Sequence, residues 1–434
     1  MRHIFFFLNV GVLAVGFVLL AGCGATFDAP QPVPGAVIHA GSDERAVTTS
    51  QDWAQWRGPK RDGWATGQTW PGKLNGKLVA RWSADIGSGY SGPCVGGGKV
   101  FTLETYKGSV EVVRAFDRKT GKELWTQQWA GSFSVPFYGN KAGSWVKSTP
   151  AYDGKSVYAM GMREHFVCMD AQAGAIKWQV NIPKKLNTSI AGYGGVASPE
   201  VVGEHVYICA GDGVVKFEKH TGKIVWHADL DNYSNGSAVF ANIGGLDQIV
   251  IVNLDGPIGL DAATGKRLWK RRITSTFKMS MITPAVVGDT VYMAVHGGRM
   301  YRLNIKKTGS EWKAAEVWDN RLQSHISSPV VRDGFLYYHA RNNQLNCVDA
   351  ANGDIKWATG RLQFGSMSSV IINGEKILLL NGDGGLYLIK ATPAGFTVLD
   401  QRKVGPQKTW AHLAAADNQI FIRERDRLTC YTWQ

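Results

Sequence analysis

The chain has 434 residues, 16 of them tryptophan, with 48 Lys and Arg against 35 Asp and Glu and a formal charge of +13. Beyond residue 51 it shows no helix-period stretch and no second compositional class, which excludes an assembly of unlike domains and leaves one body of about 380 residues. Besides Cys23 the cysteines are Cys94, Cys168, Cys209, Cys347 and Cys430, and five cannot all pair, which excludes a complete disulfide framework. In chain order, residues 1–22 read as a targeting segment. Arg2 supplies a positive start, and the run from Ile4 to Leu20 is almost wholly apolar. The run is short for a membrane span and has the flanks of a secretory signal.

Leu20-Ala21-Gly22-Cys23 follows, and it resembles the lipobox of bacterial lipoproteins. The resemblance implies that Cys23 carries the lipid and becomes the mature N-terminus. With Gly24 rather than Asp behind it, it implies delivery to the outer membrane, facing the periplasm. Residues 23–51 read as a flexible tether, with Pro30, Pro32 and Pro34 and no apolar periodicity. A coil of about 28 residues spans roughly 30 Å. Residues 52–434 form the body. Its first part, 52–76, contains Trp53, Trp56 and Arg57 and reads as a clasp packed against the rest of the body.

One string then recurs: an acidic residue, glycine four positions on, and tryptophan four beyond that. Asp117…Gly121…Trp125, Asp170…Gly174…Trp178, Glu218…Gly222…Trp226, Asp261…Gly265…Trp269 and Asp349…Gly353…Trp357 are copies, and Asn304…Gly309…Trp318 is a stretched one. Each reads as a β-hairpin whose carboxylate accepts turn amides and whose glycine takes a positive φ. Trp82 opens the series, and the degenerate unit around Leu399 closes it, making eight outer positions. A second string marks eight inner strands: Ser91-Gly92-Pro93, Ser148-Thr149-Pro150, Ala197-Ser198-Pro199, Gly236-Ser237-Ala238, Ile282-Thr283-Pro284, Ser327-Ser328-Pro329, Met367-Ser368-Ser369 and Ala411-His412-Leu413. Repeats of roughly 40–50 residues with four strands each predict an all-β, eight-bladed β-propeller. The chain ends on an inner-type strand, 427–432, and begins its repeats on an outer-type one, 77–82. The N-terminal strand is therefore expected to close the last blade, which removes two open edges. Cys168 and Cys347 share one repeat position, where Ala115 stands in another blade, and read as small buried strand residues.

The Trp53-Ala54-Gln55-Trp56-Arg57-Gly58-Pro59-Lys60-Arg61-Asp62-Gly63 opening, followed by these repeats, resembles the bacterial PQQ-like β-propeller repeat proteins. Their relatives include the propeller lipoprotein of the outer-membrane β-barrel assembly machinery. The resemblance covers residues 52–434 and implies the fold; one fold hosts many activities. It also raises pyrroloquinoline quinone (PQQ). Quinoprotein dehydrogenases of this fold carry an adjacent Cys-Cys pair and Glu, Asn and Asp around calcium, and no Cys-Cys occurs here. The recurring Asp residues are explained by turns, one per blade. No metal-ligand spacing and no hydrolase or phosphate-loop motif is present.

Charge points elsewhere. In the connections from each outer strand to the next inner strand, basic residues outnumber acidic ones by 13 to 5. In a propeller these connections share one face around the axis. Tyr90, Lys147, Tyr193, Lys278, His325, Trp410 and His412 are expected to converge there as a binding funnel for an anionic group. The reading is a non-catalytic envelope scaffold, a monomeric propeller that binds an envelope protein or anionic polymer, with outer-membrane protein assembly as one task. Nucleic acid is not expected for an exported chain, nor is a cofactor. The alternative is a periplasmic PQQ-dependent dehydrogenase.

Overall fold

A computed structural model describes residues 52–67, 69–131, 133–135, 143–230, 235–273 and 281–434. They form eight four-stranded antiparallel sheets. The first blade runs Cys94–Gly96, Lys99–Tyr106, Val110–Asp117 and Glu123–Ala130, from inner to outer strand. Six more follow in sequence, and the eighth, Ala414–Ala416, Gln419–Arg423 and Arg427–Trp433, takes its outer strand from the start of the body. Leu78–Asp85 pairs antiparallel with it, from Leu78 opposite Trp433 to Asp85 opposite Arg427. The ring closes as the two orphan strands required. A single short helix, Ile182–Leu186, interrupts the strands among the described residues.

The repeated string explains both each blade and its grip on the next. Asp117 Oδ1 accepts the amides of Lys119 and Thr120, and Asp170 Oδ1 those of Gln172 and Ala173. Asp261 does the same for Ala263 and Thr264. The turn glycine takes the left-handed conformation, φ 74° at Gly265, which costs other residues energy. Against it lies the tryptophan of the preceding blade. A Cβ on Gly265 would stand 2.7 Å from the Trp226 ring, and one on Gly121 would stand 2.5 Å from Trp82. The indole N–H then donates to a carbonyl of the same neighbouring turn. Trp82 reaches Arg118 O at 3.0 Å, Trp125 Ala171 O at 3.1 Å, Trp178 Lys219 O at 2.8 Å, Trp318 Ala350 O at 3.0 Å and Trp357 Thr392 O at 2.8 Å. The Trp82 contact is the one that joins the eighth blade to the first.

Trp269 departs from this pattern. The next blade carries the stretched hairpin, and nothing lies within 4 Å of a Cβ on its Gly309. Trp269 turns to its own blade instead, donating to Gln248 Oε1 at 2.8 Å and lying over Gly259. Opposite five of the tryptophans sits a residue small enough for the ring, Ala115, Cys168, Gly259, Cys347 and, facing Trp82, Cys430, whereas Trp226 faces Lys216 and Trp318 faces Arg302. One residue before each outer tryptophan is an unpaired extra residue, a β-bulge. Three of these, Leu124, Val225 and Val317, are exposed large hydrophobics on outer strands.

The segment expected as a clasp goes further than packing on the ring. Trp53 bridges antiparallel to Val95 and Trp64 parallel to Ile372, both in inner strands. The chain therefore rises along the axis beside the first blade and descends beside the seventh. Its tip, residues 56–63, crosses the axial channel. Buried arginines bind it there through main-chain carbonyls. Arg61 donates to Ser198 O at 2.9 Å, Ala238 O at 3.1 Å and Pro199 O, and Arg57 donates to Pro329 O at 2.6 Å. Arg61 also stands 3.8 Å from Glu200. The tip thus touches the third, fourth and sixth blades. It is an axial plug, because inner strands leave carbonyls facing the channel and a guanidinium, with five N–H donors, satisfies several at once.

Candidate functional site

Above the plug, on the face of the outer-to-inner connections, lies a cavity of about 440 Å³. Its wall begins with the second inner-strand marker. The Gly92 amide donates to Thr149 Oγ1 at 3.0 Å, the Thr149 amide to Ser198 Oγ at 2.9 Å, and the Ser198 amide to Ser237 Oγ at 2.9 Å. Farther round, the Thr283 amide donates to Ser328 Oγ at 3.0 Å. Each hydroxyl thereby ties one inner strand to the next, and the short polar residue before each strand has a structural reason. Trp56 and Arg57, from the plug, form the floor. The Arg57 guanidinium lies 5.6 Å from the Trp56 ring centroid, and the indole meets His412 edge-on at 5.9 Å. At the mouth, Tyr90 packs against Trp410 at 4.8 Å and against Trp145 at 5.7 Å.

Of the seven residues expected to converge, Tyr90, Lys147, Tyr193, His325, Trp410 and His412 all line this cavity. Lys278 lies outside the described residues, as does Cys23 with the whole of 1–51. His296 joins from the fifth blade, 5.7 Å from His325. The sequence assigns Trp56 and Arg57 to packing, and they do pack, but they also floor the cavity. In the sequence the hydroxyls stand only as a blade marker. The signal for a ring is nonetheless there, since a Ser or Thr recurs at one register.

The electrostatics differ from a ring of positive charge. Burial pushes His412 down to about 4 and holds His325 and His296 below the usual imidazole range, so all three are neutral at pH 7. Lys147, enclosed in the wall, is lowered to about 8 by desolvation. Its Nζ donates to Trp145 O at 2.9 Å and Gly143 O at 3.1 Å. Several other basic residues of this face pair at the rim instead, Lys270 with Asp255, Arg271 with Glu316 and Lys408 with Asp383. What remains inside is neutral donors, aromatic surface and two cations, with no Asp or Glu among the described lining residues.

That lining tests the quinone that the fold raises. A quinone–calcium centre needs carboxylates around the metal. The cavity has Asn235 but no carboxylate or cysteine among its described lining residues, and no group of three or more His, Cys, Asp or Glu among the described residues could hold a metal. The residues do not fit that group, and no chemistry is derived through it.

Comparisons agree with the architecture. The PQQ_2 family, described as "Outer membrane protein assembly factor BamB", matches residues 109–359 and 313–393. Outer membrane protein assembly factor BamB of Moranella endobia (strain PCIT) is 25% identical over 344 residues, 71% of this chain and 78% of that protein. The crystal structure of BamB from Moraxella catarrhalis is similar with a TM-score of 0.62 at 15% identity, over 82% of this chain and 98% of that one. A europium-containing methanol dehydrogenase has a TM-score of 0.53 at 14% identity, over 86% and 89%. Both structural likenesses are of fold.

Proposed function

The chain belongs to the PQQ_2 family, that of outer membrane protein assembly factor BamB, and from that premise we propose that it is a non-catalytic scaffold of the cell envelope serving outer-membrane protein assembly. In this reading Cys23 carries a lipid that anchors it to the outer membrane, residues 23–51 hold the body off the surface, and a single propeller recruits an envelope protein through its loops. The observation that carries the reading is the plugged, closed ring. Residues 56–63 bind carbonyls of three blades across the axis, and the first strand completes the last blade. Such a body holds its loops in fixed relative positions, which suits a platform rather than a machine that opens around substrate.

The test is affinity capture of the full-length protein from solubilised envelopes. Co-purification of β-barrel assembly proteins is expected, and their absence together with turnover of alcohols by quinone-loaded protein would overturn the reading. Cys23→Ser tests the anchor separately: the variant should leave the membrane fraction for the soluble one. If it still sediments with outer membranes in high salt, the anchor lies elsewhere.

A further inference from the structure

We propose that the axial cavity is a receptor for a single carboxylate group, held by the hydroxyls of Thr149, Ser198, Ser237 and Ser328 with Lys147 beside them. The inference goes beyond the scaffold reading and does not depend on it.

The donors carry the argument. Each of these four hydroxyls accepts one amide hydrogen from the neighbouring blade. Among the described residues, none gives its own O–H to a protein atom within hydrogen-bond distance. A hydroxyl that already accepts is polarised to donate. Thr283 Oγ1, also in the wall and on a residue only 1% exposed, has no hydrogen-bond partner among the described residues. Arg57 Nη1 and Ser368 Oγ, in the same wall, likewise have no partner among the described residues, and because buried polar groups in native proteins are nearly always satisfied, these donors point to an acceptor that comes from outside. The described lining supplies no carboxylate of its own.

Charge narrows the class. Two cations stand among the described lining residues: Lys147, whose Nζ also donates to Trp145 O and Gly143 O, and Arg57, whose Nη2 donates to Pro329 O while its Nη1 has no hydrogen-bond partner among the described residues. A guanidinium N–H and an ammonium among several neutral O–H donors match an oxyanion, and a carboxylate, with about four acceptor sites, pairs well with a guanidinium. The aromatic mouth of Tyr90, Trp410 and Trp145 suits an apolar stem attached to that carboxylate. The group has two sources: a free organic acid, or a Glu or Asp side chain on a partner's loop.

Calorimetric and tryptophan-fluorescence titrations of the full protein distinguish them. The probes are succinate and the capped tripeptide acetyl-Leu-Glu-Leu-amide, with acetyl-Leu-Gln-Leu-amide as control. At least one carboxylate probe should bind, about tenfold more tightly than the Gln peptide, and affinity should fall as pH rises from about 7 to 9 and Lys147 discharges. Binding of succinate assigns a free acid, and binding of the peptide alone assigns a partner side chain. Lys147→Met should weaken binding about tenfold, as should Ser198→Ala combined with Ser237→Ala. The Lys147 variant removes no acceptor from the ring, so it remains informative if the double variant misfolds, which circular dichroism would report. Binding of neither probe at about 10 mM, equal binding of the Gln peptide, or unchanged affinity in the Lys147 variant would overturn the proposal. Envelope capture can succeed or fail independently of any of these results.

Discussion

Gly265 and Gly309 occupy equivalent turns and differ in what lies beside them. Both take positive φ, 74° and 60°. Alanine at Gly309 meets open space, so its cost is only the strain of a Cβ at positive φ, about 1 kcal/mol. Alanine at Gly265 must also displace the Trp226 ring, 2.7 Å from the new Cβ, adding roughly 1–3 kcal/mol of overpacking. Urea midpoints of Gly265→Ala and Gly309→Ala should therefore differ clearly, and equal losses would mean that the tryptophan is not fixed against the turn. Glu111 gives a second test at this scale. Burial raises its carboxyl from 4.5 to about 7, although Met162 N–H and Trp129 Nε1–H both donate to it. Between those values the folded chain keeps a proton that the unfolded chain has lost. Stability contributed by this group therefore falls as pH rises from 4.5 to 7, by about 3 kcal/mol. Glu111→Gln should shrink the change in urea midpoint between about pH 5 and pH 7.5. If that change is untouched, Glu111 does not titrate in this window.

The elements divide into those the sequence exposed and those it hid. The hairpins were legible because Asp, Gly and Trp each have a separate physical role at fixed spacing, and the same spacing recurs in blade after blade. The failure of Trp269 to dock was legible only as the length of the following hairpin. The plug was hidden. Trp53, Trp56, Arg57 and Arg61 have no period, and the groups of the blades to which Arg61 donates are main-chain carbonyls of Ser198, Pro199 and Ala238, which every residue carries. Nothing in side-chain identity at those positions announces the contact. The same holds for the cavity floor, whereas Tyr90, Lys147, His325 and Trp410 could be placed because blade geometry dictates where connections converge. Arg61→Met should show the weight of the plug. It would strip donors from three buried carbonyls and leave Glu200 without its nearby guanidinium, at a cost of roughly 3–5 kcal/mol. A thermal midpoint close to that of the parent protein would mean that water replaces the guanidinium in the channel.

At the scale of the molecule, the ring rests on a pairing between its two ends. Leu78–Asp85 has no partner until Arg427–Trp433 arrives, and the Trp82 ring ties the eighth blade to the first. Truncation after Asp426 should remove the inner neighbour of the N-terminal strand. Limited proteolysis should then cut first between residues 70 and 90, and Trp70, which stacks on Trp433 at 6.1 Å, should become exposed to a fluorescence quencher. Resistance of that region in the truncated chain would show that closure does not depend on the last strand.

Closure by the ends also sets an order of events. A ribosome, and any export channel that threads a chain from its N-terminus, releases residues 52–85 first and 427–433 last. Throughout that interval the first strand has unpaired amides, and the plug has arginines whose carbonyl partners have not yet been laid down. Blades one to seven can form by local pairing as they emerge, but the axis cannot be filled correctly until several stand side by side. Contacts between such distant positions are slow to form because a long loop must close before they stabilise anything. The N-terminal stretch is thus both the oldest part of the nascent chain and among the last to reach its place. In the interim it is a tryptophan-rich, edge-bearing segment open to capture by a holding chaperone, or by the same edge on another unfinished copy.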